Sequence, residues 1–156
     1  MALRNIRTEG DPILAKISKP ILEMNDKTKI LIEDMLETMY HANGVGLAAV
    51  QVGVLKRVVV IDVSEDGDDP IVLINPEIID KEGTQTGEEG CLSVPGKSGT
   101  VTRANHVKVK AFNKNMELFE LEGDELLARA IQHEVDHLDG ILYTSKVEGD
   151  IRTSSD

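Results

Sequence analysis

The most constraining stretch of the chain is His133-Glu134-Val135-Asp136-His137, inside the longer run from Ile131 to Gly140. Residues four apart share one face of a helix, so both histidines can bind one ion while Glu134 projects beside them. The pattern is short, and shuffling such a composition produces it roughly once in a hundred sequences. The bland alternative is a solvated helix with two unconnected histidines. Two imidazoles also leave a metal under-coordinated, because a hydrolytic site needs three protein ligands and one open position. His41, His106 and Cys91 are the candidates for the third. Cys91 follows Gly90, where backbone can approach another element closely, and one cysteine with two histidines is an accepted donor set. A lone cysteine is otherwise a small buried hydrophobe.

With 40% hydrophobic residues in 156 positions, the chain can bury one sizeable core and is short for two. It reads as one domain over residues 1–147 followed by a polar, disordered tail over 148–156. The net charge of −11, from 17 Lys and Arg against 28 Asp and Glu, argues against a broad phosphate-binding surface and so against a DNA partner. Met1 to Gly10 has no apolar run behind its charges, so neither a secretory leader nor a membrane span is expected, and the location reads as cytoplasmic. With one cysteine, an intramolecular disulfide is impossible.

Along the chain, Asp11-Pro12 starts a short helix that Pro20 would end, and Ile32, Met35, Leu36, Met39 and Tyr40 predict a longer one from Asp26 to about Ala42. Arg57 to Val63 is β-branched and reads as a buried strand. Ile71–Asn75 and Glu77–Lys81 read as two strands around Pro76, and the glycine-bearing run Glu82 to Gly90 as a flexible loop. Val101–Arg103, His106–Phe112 and Met116–Glu122 look extended, and a last helix runs from Asp124, as N-cap, to Gly140. The fold class is therefore α+β: antiparallel strands packed around a central C-terminal helix that carries the metal motif, with N-terminal helices.

The run Gly87-Glu88-Glu89-Gly90-Cys91-Leu92-Ser93 resembles the E-G-C-L-S segment of peptide deformylases, and Gln132 to Gly140 resembles their Q-H-E-x-D-H-L-x-G segment. Gly44 to Gln51 is similar to a third, G-x-G-L-A-A-x-Q, and the three occur in the family's order. The resemblance implies a bacterial-type, class I-like enzyme. Cys91, His133 and His137 would ligate one divalent metal, Fe²⁺ in the cell with Zn²⁺, Ni²⁺ or Co²⁺ as substitutes. It implies removal of the formyl group from N-formyl-methionyl nascent peptides, with release of formate. Metal-bound water, its pKa lowered to ~7, would attack the formyl carbon. Glu134 would act as general acid and base, and the Gln51 amide and Leu92 backbone N–H would stabilise the oxyanion. Gly44, Val45, Gly46, Leu126, Ala130 and the hydrocarbon part of Glu89 would bind the substrate, its methionine side chain in an apolar slot.

Gln132 and Asp136 are candidates to hold the histidines' outer N–H groups, and His41 and His106 are assigned to structure or surface. Many family members continue into a C-terminal helix, but only residues 141–156 follow Gly140 here, so no ribosome contact through such a helix is expected. Two other readings remain. A zinc endopeptidase would take its third ligand downstream, from Glu148, Asp150 or Asp156. A non-catalytic module recognising peptide N-termini would close its metal with four ligands.

Overall fold

The helical spacing of Ile32, Met35 and Met39 is realised in α1, Asp26–His41, in the computed structural model, which describes residues 2–153. Asn25 caps it by accepting the Thr28 N–H at 2.8 Å, and Asn43, at φ +59°, breaks away from it. Leu31, Ile32, Met35 and Met39 are buried, whereas Tyr40 remains half-buried, its hydroxyl donating to Asp62 at 2.6 Å. Ahead of α1, Asp11-Pro12 opens only a 3₁₀ turn over Pro12–Ala15.

Five strands form one antiparallel sheet in the order β1 (Gly46–Ala48), β2 (Val58–Ile61), β3 (Ile71–Glu82), β6 (His106–Phe112) and β7 (Leu118–Asp124). A second sheet has the order β4 (Gln85–Cys91), β5 (Val94–Arg103) and β8 (Glu148–Thr153). All four residues of β2 are buried, because the strand is covered on both faces. Alternation sorts them: Val59 and Ile61 face one cluster, Val58 and Val60 the other.

The first cluster includes Ala128, Ile131 and Leu138 of α2, Glu125–Leu138; the second includes Leu31, Ile32, Met35 and Met39 of α1. The larger sheet thus lies between the two helices. Burying an Ile131-sized side chain is worth ~2–3 kcal/mol, so α2 is anchored by packing before any ion is considered. The α+β architecture read from the sequence is the one observed. No helix among the described residues is long and apolar enough to cross a membrane.

Four local expectations need correction. Pro76 does not split β3 into two strands. The ladder to β6 is irregular between Ile74 and Glu77, beside Asn75 at φ +52°, and this is where a residue without an N–H is tolerated. The run Glu82 to Gly90 is not a flexible loop: from Gln85 it is strand β4, paired with β5. Gly87 lies against the Arg129 guanidinium, which a Cβ there would meet at 3.4 Å, an ordinary contact distance. Residues 148–153 of the expected tail are β8, registered on β5 through Lys97–Thr153, Ser98–Arg152 and Thr100–Glu148. Residues 154–156 lie outside the described residues. Finally, Asp124 precedes α2 but makes no side-chain cap bond; it contacts His106 instead, at 2.6 Å.

The β8 pairing generates one prediction. Deleting residues 148–156 removes three registered positions and the Arg152–Glu88 ion pair, and should lower unfolding stability by about 1–3 kcal/mol. Chemical denaturation checks this, and light scattering should detect association through the uncovered β5 edge.

A second prediction concerns Asp62. Burial alone would raise its pKa, but the Ser64 and Tyr40 hydroxyls and the N–H groups of Ser64 and Asp69 all donate to it and hold the carboxyl below its ordinary value. A lowered folded pKa stabilises the protein above the unfolded value, and that stability is lost as pH falls through the folded one. Asp62→Asn should therefore lower the urea midpoint at about pH 7, and the gap to wild type should close below about pH 4. A gap that persists in acid would show that the charge is not what holds this loop.

Candidate metal centre

Helical periodicity brings His133 and His137 to one face of α2, with their Nε2 atoms 3.2 Å apart and their rings edge to face at 69°. Cys91, at the end of β4, places Sγ 3.3 Å from His137 Nε2. The three donor atoms lie within 4.8 Å of one another, and no other such cluster of His, Cys, Asp and Glu exists among the described residues. One ion at ~2.0–2.3 Å from each donor fits that spacing. His41 is exposed, and His106 pairs at the surface with Asp124 and Glu122.

The outer nitrogen of His133 is held by Glu89, not by Gln132 or Asp136. Glu89 Oε1 lies 2.6 Å from His133 Nδ1. The same buried carboxylate accepts from Arg103 Nε at 2.7 Å and Nη2 at 2.8 Å, and from Arg129 Nη1. Burial opposes its ionisation, but His133 and Arg103 hold it far below the usual carboxylate range. Asp136 accepts from Arg103 at 2.9 Å, and Gln132 pins α2 to the Ala104 backbone through both ends of its amide. His137 Nδ1 is buried with no partner in the structure. Glu89 lines the cleft as expected, but its chemical work is done by its oxygens.

Charge at the two imidazoles is divided unequally. For His133, burial favours the neutral form, yet Cys91 and Glu89 raise its pKa to about 10. For His137, burial and then the neighbouring His133 lower it well below the ordinary value. Two imidazolium rings at this distance would repel, so a charge on one ring disfavours charge on the other. One sulfur and two imidazole nitrogens are a donor set that fits a divalent transition-metal ion.

Glu134 is the second polar group committed to the centre. Its Oε1 is buried without a partner, and burial raises its pKa to about 7. A Cβ added at Gly46 would lie 2.6 Å from its Oε2, so glycine there makes room for the carboxylate. Gly44 does the same for another neighbour, since a Cβ would meet Leu92 Cδ1 at 2.6 Å.

Leu92 and Ser93 form the turn between β4 and β5, where Cys91 pairs with Val94. Gln51 is buried behind them; its Oε1 accepts the Ala48 N–H at 2.9 Å, and its Nε2 donates to Ser93 Oγ at 3.0 Å and lies 3.6 Å from Cys91 Sγ.

A cleft of about 470 Å³ opens beside the donors, lined by Val45, Leu126, Ala130, Arg129 and Glu88 among others. Val45 and Leu126 are exposed to it, at 43% and 50%, while Ala130 is buried. Gln51, Glu89, Leu92 and Glu134 line the same cleft as Cys91, His133 and the segment Gly44 to Gly46, and His137 completes the donor cluster, whereas His41 and His106 lie away from it. Sequence reasoning missed Arg103, Arg129, Ser93 and Tyr143, the last buried and stacked on His133 at 6.1 Å and 26°. Ser93 lay inside a quoted motif; nothing in the local sequence marked the other three.

A carboxylate with a free oxygen, an amide nitrogen and three cation donors around an open cleft can take a proton, stabilise an oxyanion and polarise a carbonyl. Comparison with known proteins gives the same chemistry. The family model described as polypeptide deformylase matches residues 3–152. A peptide deformylase of Lachnoclostridium phytofermentans is 66% identical over 97% of this chain and 93% of its own, and one from Agathobacter rectalis is 64% identical over 96% and 92%. The crystal structure of a peptide deformylase from Legionella pneumophila superposes with a TM-score of 0.91 at 46% identity, covering 94% of this chain and 87% of that one. The chain belongs to the polypeptide deformylase family.

Proposed function

We propose that Cys91, His133 and His137 hold one divalent ion and that the cleft beside them receives the formyl-methionyl end of a newly made polypeptide. The reaction is hydrolysis of the N-formyl amide, giving formate and a free amino terminus. The observation that carries this reading is the Glu134 oxygen, buried without a hydrogen-bond partner on the helix segment that bears two of the three donors.

An ion in this site supplies Lewis acidity and lowers the pKa of water to ~7. Glu134 takes the proton from the attacking water and returns it to the amide nitrogen, which leaves poorly until protonated. The Gln51 amide and the Leu92 N–H donate to the oxygen on which negative charge develops. Glu89 keeps the His133 ring oriented by occupying Nδ1, which leaves Nε2 to the ion. Val45, Leu126 and Ala130 supply apolar contact for the methionine side chain, and the backbone at Gly44 to Gly46 lies beside the extended peptide. The donor set accepts Fe²⁺, Zn²⁺, Ni²⁺ and Co²⁺ alike; on family grounds we favour Fe²⁺ in the cell, with a cytoplasmic site of action.

The endopeptidase reading loses its support because the third donor comes from upstream, at Cys91, while Glu148 and Asp150 are exposed on β8. Asp156 lies outside the described residues. A closed four-ligand module is disfavoured by the three-donor set and its open cleft.

Glu134→Gln should retain the metal and lose ~10²–10⁴-fold in kcat for formate release from a formyl-Met peptide. Undiminished release would remove Glu134 from the proton transfer, and no release by metal-loaded wild type would sink the assignment. Glu89→Gln should weaken metal affinity ~10–100-fold in a chelator competition and lower stability by ~3–5 kcal/mol, because Arg103 and Arg129 lose their buried counter-charge.

A further inference from the structure

Gln51 is held at its carbonyl end by the Ala48 N–H, a donor that fixes which end of the amide is oxygen. That bond leaves the amide free to rock, and the direction of its two N–H groups is set elsewhere. One of them is taken by Ser93 Oγ at 3.0 Å, with both groups buried. Nε2 also donates to Cys91 Sγ at 3.6 Å, so the amide faces the metal donor as well as Ser93.

Ser93 is itself immobilised. Its backbone N–H points at Cys91 Sγ at 3.4 Å, its carbonyl accepts the Glu9 N–H at 2.7 Å, and its side chain is fully buried. Because Leu92 and Ser93 make the whole turn between Cys91 and Val94, one rigid hairpin carries a metal donor, a backbone N–H and the acceptor that orients Gln51.

We propose that Ser93 is a positioning residue whose hydroxyl oxygen ties the Gln51 amide to the Cys91-Leu92 turn, so that the second N–H of Gln51 is kept on the Cys91 Sγ side of the amide, from which it serves the developing oxyanion. The proposal rests on the reading of Gln51 as an oxyanion donor. Ser93 touches neither substrate nor ion; it fixes the distance between two donors that come from different segments of the chain. Such donors act in the transition state, so a misaimed amide lowers kcat and leaves KM nearly unchanged.

The test is a double-mutant cycle on the metal-loaded enzyme, with kcat, KM and metal content measured for Ser93→Ala, Gln51→Ala and the pair. Gln51→Ala should lower kcat ~100-fold, and Ser93→Ala ~10-fold or more with KM unchanged within about twofold. In the Gln51→Ala background the serine change should cost nothing further. Ser93→Thr and Ser93→Val add the same bulk and differ in the hydroxyl, so threonine should restore kcat above valine whatever the fold tolerates. Additive losses, or equal activity of the threonine and valine variants, would overturn the proposal. A harmless Gln51→Ala would overturn the oxyanion reading together with it, whereas a costly Gln51→Ala beside a harmless Ser93→Ala would overturn the proposal alone.

Discussion

The centre depends on a buried carboxylate. Glu89 is 6% exposed, and an isolated charge there would cost several kcal/mol of lost hydration. Arg103 from β5, Arg129 from α2 and the His133 imidazole surround its two oxygens and offset that cost. The arrangement works only while β4, β5 and α2 keep their mutual distances, so the ligand geometry is set by an ionic junction of three elements. Arg103 adds a second tie through Asp136, one helical turn beyond Gln132, which is bonded to the Ala104 backbone. The helix face that bears the histidines is thereby fixed in rotation as well as in position.

Space is the second constraint. Gly44 precedes the buried β1 and Gly46 opens it, and each has a functional neighbour where a side chain would begin. The glycines of this segment are therefore shape requirements: one admits the Leu92 side chain, the other the Glu134 carboxylate. Together they permit the turn between β4 and β5 and the helix α2 to close on the segment at β1.

Much of this was legible in the sequence because the strong signals are local. The spacing of His133 and His137 specifies one helix face, and the apolar run at Val58 to Ile61 specifies a strand covered on both sides. The errors arose where local composition and tertiary role diverge. Gly87, Gly90 and the glutamates between them look like a solvated loop, yet they form a strand paired with β5 whose Glu89 turns inward to two arginines. Asp136, near both histidines in sequence, is taken by Arg103, and the outer nitrogen of His133 is taken by Glu89 from another element, 44 positions away. Glu148 to Thr153 is exposed along its length and carries a single large apolar side chain, Ile151, so no hydrophobic pattern could reveal β8; its pairing comes from backbone groups that sequence does not display. The Gln51–Ser93 bond spans 42 positions and leaves no periodic trace.

The placement of Cys91 has a mechanical consequence. It belongs to the three-stranded sheet, while His137, 46 positions later, belongs to a helix packed on the other sheet. An ion shared by them would be a rivet between two layers, its affinity and the cohesion of those layers forming one thermodynamic quantity. Stripping such an ion would loosen the joint between the sheets, which would tie the lifetime of the folded protein to the supply of metal.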